Sequence, residues 1–323
     1  MTMANSKGLR FYPAYSALAV PLLLAALVWA LPYGVPAQDA ANSTLRPYLW
    51  QNGMTPSELG EVNVFRRFSS ERAVQMNAFY GEVLALIALP SSALGGGSMI
   101  RYPVGSSEVK LFPVAPSAPN AETVTAMAGV RLLTFFYRDQ QALSARFAEH
   151  GLAAPEFHAR NDGSKAALVQ DPDGEWVELV VVADPASGHL DRFEIGLGAT
   201  DLSLSRAFYR DFMGLEESGP VRDSLLGVDK YSYRHRATTI NLWSVDPALP
   251  SDTQTAGMQY IVWNVEGVNG VAVARGATID RPLSAPGGMM RTVWLTDPDG
   301  VSNYFAEYSG HDNRPPAAAG TRN

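Results

Sequence analysis

From Glu61 onward the chain alternates apolar and polar residues in short runs, then shifts to a helical period, then returns to short alternating runs. The stretch "EVNVFRRFSSERAVQMNAFYGEVLAL", beginning at Glu61, reads as a strand, a polar turn and a helix with Phe79, Val83 and Leu86 on one face. "EIGLGATDLSLSRAFYRDFMGL", beginning at Glu194, repeats that plan with Phe208, Phe212 and Leu215, and places Asp201 at a helix N-cap. A second matched pair, "GVRLLTFFYRDQQALSARFAEHGL" and "GMQYIVWNVEGVNGVAVARGA", also predicts strand, turn, helix and short strands. Repeats of this kind predict stacked copies of one supersecondary unit, here ordered A-B-A-B. The gap at "VVADPASGHLDR" sets the expected boundary between two domains, residues 59–185 and 190–310. A polar, proline-bearing linker spans 38–58, and a polar tail spans 311–323.

Both B units run on to Asp-Pro-Asp-Gly, at Asp171 and at Asp297. Proline presets the turn, Asp bonds its own backbone and Gly accepts a positive φ, so a tight hairpin is expected twice at the same place. Eight residues into the first copy stands Glu178, and eight residues into the second stands Tyr304. The repeat thus keeps the turn and changes the chemistry behind it.

Composition narrows the function classes. The 323 residues are 46% apolar and 18% charged, which is globular, and a net charge of -7 without a basic block argues against nucleic acid as a partner. With no cysteine there is no disulfide framework, thiolate metal site or cysteine nucleophile. Lys7 and Arg10 precede the apolar run Ala17–Leu31, and small residues Val35 and Ala37 follow. These are the parts of a cleavable export signal over residues 1–37, which predicts a periplasmic or secreted protein with no membrane contact after cleavage. The alternative is an uncleaved inner-membrane anchor, although Pro21 interrupts a run shorter than the ~20 residues a span requires.

The A-B-A-B layout, the helix ends "FYGEVLAL" and "FYRDFMGL", and "DPDGEWVEL" resemble the vicinal oxygen chelate superfamily, the glyoxalase, bleomycin resistance protein and extradiol dioxygenase group. The resemblance implies an α+β fold of four βαβββ modules, paired into two cup-shaped domains. It further implies a divalent metal in the cup, held by His, Glu or Gln from each module's first strand and from the strand behind the Asp-Pro-Asp-Gly turn. Imidazole and carboxylate suit Fe, Mn, Ni or Zn and leave positions open to substrate oxygens. At those positions the first cup offers Glu178, with Phe65 or Glu61, and Leu132; the second offers Glu194, Tyr260 and Tyr304. Glu178 is therefore the candidate metal ligand. The ligand set is short of the three groups such a centre needs.

Other residue types fit a metal-free site. Glu194 lies in the otherwise apolar "FEIGLG", where an inward carboxylate needs a partner, and Tyr260 or Tyr304 can donate to it as an acid/base pocket. Arg66 and Arg67 are adjacent on a strand, so one of them, taken as Arg67, faces the cup and suits an anionic group. In "YSYRHRATTINLW", Tyr233 and His235 share a face and Trp243 follows, all candidate ligand contacts. Three functions stand at this point. One is an exported small-molecule-binding protein without the family metal, with acid/base catalysis open to it. The second is a metal-dependent dioxygenase, lyase or isomerase with atypical ligands, and the third is a scaffold whose cups are filled.

Overall fold

A computed structural model describes residues 62–94, 97–114, 121–184, 189–252, 255–288 and 290–308. The expected export signal, the linker 38–58, Glu61 and the tail 311–323 lie outside the described residues. The first module comprises β1 (Val62–Ser69), a helical segment over 70–83, β2 (Ser92–Leu94), β3 (Gly97–Val104) and β4 (Ser107–Val114). The second has β5 (Ala128–Tyr137), a helix Gln140–Glu149, β6 (His158–Ala159), β7 (Lys165–Gln170) and β8 (Trp176–Val181). In the third, β9 (Phe193–Ala199) leads into a helical segment over 202–212, followed by β10 (Glu217–Asp223), β11 (Val228–His235) and β12 (Thr238–Ser244). After the short β13 (Ser251–Asp252), the fourth has β14 (Ala256–Ile261), a helix Val265–Ala274, β15 (Ile279–Ser284), β16 (Met290–Thr296) and β17 (Ser302–Tyr308).

These strands form two curled sheets. Sheet I runs β15-β16-β17-β14-β1-β4-β3-β2, and sheet II runs β10-β11-β12-β9-β5-β8-β7-β6. Each is joined at its centre by the first strands of two modules running antiparallel, β1 with β14 and β5 with β9. The first module therefore pairs with the fourth, and the second with the third. This corrects the expected grouping into 59–185 and 190–310, whose boundary falls inside sheet II. Apolar alternation specifies which face of a strand is buried but not which edge it joins, so sequence order alone misassigned the partners.

The alternation fixes the two faces of each sheet. Val62, Val64 and Phe68 of β1, Leu133 and Phe135 of β5, and Ile195 and Leu197 of β9 face the helices and join one continuous core drawn from all four modules. The alternate residues line the two concave faces, where the apolar clusters are smaller and separate. β5 is buried at every position, because its sheet is covered on both sides there.

Neighbouring modules meet through their helices and the Asp-Pro-Asp-Gly turns. Asp171 Oδ1 accepts the backbone N–H groups of Asp173 and Glu175, while Oδ2 accepts the Tyr80 hydroxyl at 2.9 Å. Asp297 repeats this with Asp299, Val301 and the Tyr209 hydroxyl at 2.8 Å. The second Asp of each turn reaches further into the preceding module. Asp173 accepts from the Ser69 N–H at 3.2 Å, and Asp299 accepts from the Thr200 N–H at 2.9 Å and the Ser205 hydroxyl at 3.0 Å. The helices carrying the two tyrosines widen into π turns over Ala78–Val83 and Ala207–Phe212, where the heptad-like spacing had predicted plain helix.

Burial pushes both first aspartates up, Asp171 to about 6 and Asp297 to about 7. The Arg66 guanidinium, 3.5 Å from Asp171, holds that carboxyl back against its desolvation. A folded value above the unfolded one favours the protonated form, so this stability is whole below pH 3.8 and is lost as pH rises through about 7. For Asp297 the rise from 3.8 to about 7 corresponds to roughly 4 kcal/mol. Asp297→Asn imitates the protonated acid. Urea unfolding at pH 5 and pH 8 should show the variant gaining on the wild type by about 3 kcal/mol between the two; a difference independent of pH would contradict the buried-acid account.

Candidate functional site

The concave face of sheet II gathers acidic, amide and hydroxyl groups on a flat register. Leu168, Glu178, Thr134, Glu194 and Thr239 are successive cross-strand neighbours on β7, β8, β5, β9 and β12. Paired residues point to the same side of a sheet, so Glu178 and Glu194 flank Thr134 on one face. The Thr134 hydroxyl donates to Glu178 Oε2 at 2.9 Å, and Asn241 Nδ2 donates to Glu194 Oε2 at 2.7 Å. Asn241 in turn accepts from the Ser232 hydroxyl at 2.6 Å. Glu178, Thr134 and Asn241 are buried, whereas Glu194 is half-buried.

Charged groups from both modules close over this floor. Arg160 Nη1 lies 3.4 Å from Glu178 and its Nη2 lies 3.7 Å from Asp223, so one guanidinium spans the second and third modules. Asp223 is also 2.6 Å from Lys230 Nζ. Burial raises the Glu178 carboxyl above the usual range; Lys230 and Arg160 oppose that rise, while Glu194 and Asp223 add to it. Beside this group Trp243, fully buried, crosses the floor above Gly196, where a Cβ would stand 2.7 Å from the indole ring.

No protein-family model matches this chain, and no curated protein sequence is detectably similar to it. Solved structures do match. A variant of glyoxalase I from Zea mays superposes with a TM-score of 0.59 at 16% identity, covering 78% of this chain and 93% of that one. The unaltered Zea mays enzyme gives 0.56 at 16% identity over 78% and 92%. A protein from Bacillus subtilis subsp. subtilis str. 168, which carries the name dioxygenase only provisionally, gives 0.57 at 14% identity over 78% and 86%. The chain has the vicinal oxygen chelate fold.

Within that fold the expected site residues are redistributed. Glu178 and Glu194, assigned to different cups, share one, because the second module pairs with the third. Glu194, Tyr260 and Tyr304 do not form one pocket. Tyr260 turns to the helix side, stacks on Phe305 at 5.0 Å and donates to Asn303 at 3.1 Å, while Tyr304 faces the cup of sheet I beside Gln259. Opposite Tyr304 and Glu178 on the adjoining first strands stand Gln259 and Thr134, where the sequence reading had placed Tyr260 and Leu132. Tyr233 also turns to the core, where it donates to Glu217 Oε2 at 2.5 Å, and His235 shares its side of β11; neither lines the cup. Trp243 lies in the cup of sheet II and Arg67 in that of sheet I. Lys230, Asp223, Arg160 and Asn241 escaped the sequence reading, although the alternation in "TTINLW" put Asn241 and Trp243 on the Glu194 side.

The donor set was tested against a metal of the vicinal oxygen chelate kind. Around Thr134 stand two carboxylates, a hydroxyl and an amide that turns its N–H toward Glu194, with a guanidinium on Glu178. Among the described residues no group of three or more His, Cys, Asp and Glu is placed to hold an ion. This set does not fit an imidazole–carboxylate centre. Its charge balance instead comes from Lys230 and from Arg160, which touches Glu178 directly. Arg160→Met should therefore raise the Glu178 titration midpoint further, by about one pH unit, in a carboxyl-carbon NMR titration. An unchanged midpoint would mean that the guanidinium does not act on Glu178.

Proposed function

We propose that the cup of sheet II binds a small carbonyl-bearing molecule and moves a proton on it with Glu178 and Glu194, without a transition metal. The observation that carries this reading is the row Glu178–Thr134–Glu194, two carboxyl groups on one face in unlike surroundings. Environments that differ in this way divide acid from base. Glu178, buried and raised, is the proton donor to the substrate oxygen, and Thr134 fixes its orientation. Glu194, half-buried and oriented by Asn241, takes the proton from the neighbouring carbon. Lys230 and Arg160 add positive charge where the enolate oxygen develops. In a 2-hydroxy carbonyl substrate, Glu194 then returns its proton to the former carbonyl carbon. The hydroxyl on the deprotonated carbon gives a proton back to Glu178, so the isomerisation is complete and needs no oxidant. The basic and apolar residues from Lys7 to Leu31 support an exported protein as part of this reading.

Deuterium uptake tests the reading. Small aldehydes, ketones and 2-oxo acids are incubated with the protein in D2O, after chelation and again after addition of Fe, Mn, Ni or Zn, and followed by proton NMR. The expected result is exchange next to the carbonyl without metal, reduced at least about 100-fold in both Glu178→Gln and Glu194→Gln. Exchange that appears only with added metal would replace this reading with the metal-enzyme one. No exchange with any compound would leave a binding or filled cup.

A further inference from the structure

The junction between the first and second modules, on the helix side, has a counterpart between the third and fourth. Phe79, Glu82 and Val83 of "FYGEV" correspond to Phe208, Asp211 and Phe212 of "FYRDF", and His150 and Arg275 are the C-caps of the two matching helices. In the later pair Phe212 stacks on Phe208 at 5.3 Å. Arg275 lies 5.9 Å over the Phe212 ring, and its Nη1 donates to the carbonyl oxygens of Asp211 and Phe212 at 3.0 and 3.3 Å. A ring and a guanidinium thus lie across that junction.

The earlier pair lacks both groups, since Val83 stands for Phe212 and His150 for Arg275. His150 Nε2 lies 3.5 Å from Glu82 instead. The connection that follows is also longer, residues 151–157 before β6 against 276–278 before β15. Between the helical segment 70–83, the helix Gln140–Glu149, this connection and β7 lies a cavity of about 640 Å³. Phe79, Val83, Phe147 and Val169 give it an apolar floor. Its size is that of a site for a small organic molecule.

The charge around the cavity is of one kind. Its lining has two carboxylates, Glu156 and Asp171, one imidazole, and no lysine or arginine. Asp171 is taken up by Tyr80 and by the backbone of its own turn. Glu156 is exposed, and no described residue donates to it. A free carboxylate beside an apolar floor favours a cation and disfavours an acid. We propose that this cavity is a ligand site for a small amine on an apolar body, with the body on Phe79, Val83 and Phe147 and the ammonium group at Glu156. It lies behind sheet II from the proton-transfer cup and does not depend on that activity.

Methyl-detected NMR titration of the intact protein with phenylbutylamine, phenylbutanol and phenylbutyrate at neutral pH tests it. The amine should shift the Val83 and Val169 methyl signals. It should bind about threefold more tightly than the alcohol, the margin an exposed ion pair supplies, with the acid weaker than both. Glu156→Gln should erase that margin and leave the affinity for the alcohol unchanged. The double variant Val83→Phe and His150→Arg, which copies the later junction, should weaken the amine and the alcohol at least about tenfold. Where it does not fold, the wild-type shifts and the Glu156→Gln variant still decide. The proposal fails if no probe binds, the result expected of a groove already covered by the apolar residues 17–31 or by a second copy. It also fails if amine and acid bind alike, if the folded double variant keeps full affinity, or if the shifts centre on Thr134 in the cup of sheet II.

Discussion

Thr134 of β5 lies opposite Glu194 of β9, and Asn63 of β1 lies opposite Gln259 of β14. These two antiparallel seams decide what each cup contains. Each seam fixes a register, and because side chains alternate with a period of two, a slip of one residue would move every polar group to the helix side. The register holds because the opposite faces carry Phe135, Phe193, Val64 and Met258 into the common core. Burying those rings and branched chains supplies the energy that holds two glutamates on a concave surface. The polar row is thus a consequence of the apolar one.

The Asp-Pro-Asp-Gly turn has a second task that its sequence does not announce. As a turn it closes a hairpin, and as a clamp it binds the helix of the preceding module through Tyr80 or Tyr209. Both oxygens of this buried carboxyl group are partnered by two backbone N–H groups and a phenol, and losing the phenol would leave about 1–3 kcal/mol of uncompensated desolvation. The two copies differ in one respect. Arg66 stands beside Asp171, itself in contact with Glu175, which also meets Arg131. The Asp297 copy is held by the phenol and backbone donors. Burial therefore raises Asp297 further than Asp171.

Much of this was legible in the chain. Alternating strands, the helix faces of Phe79 and Phe208, the Asp201 cap and both turns lie in local periodicity, and the structure places them where that periodicity puts them. The partners of the modules were not legible, because edge pairing depends on long-range geometry that a repeat in sequence order does not encode. That one unknown scattered the site: with the pairing misassigned, Glu178 and Glu194 fell in separate cups and Tyr260 was taken for a neighbour of Glu194. Tyr260 itself shows a local limit. In "GMQYIVW" both Gln259 and Tyr260 suit a buried strand, and only the Phe305 stack on the helix side decides which one turns away. Lys110 and Asn241 were missed because the A modules carry no Asp-Pro-Asp-Gly turn to mark their last strand.

The two cups show how one scaffold carries two different linings. In each, a glycine on the first strand of the later module, Gly196 or Gly257, lets an aromatic ring from another strand lie across the floor. Over Gly196 the ring is Trp243, and the neighbouring positions are carboxylates opposed by Lys230 and Arg160. Over Gly257 the ring is Phe65, packed with Trp294 and Tyr304, and Arg67 and Arg281 stand at the edge of the cluster. The backbone requirement is the same in both. A carboxylate beside Trp243 needs donors already in place, whereas a guanidinium beside Phe65 is stabilised in part by the ring itself. The difference between a cup lined by carboxylates and one lined by rings follows from which side chains border the glycine.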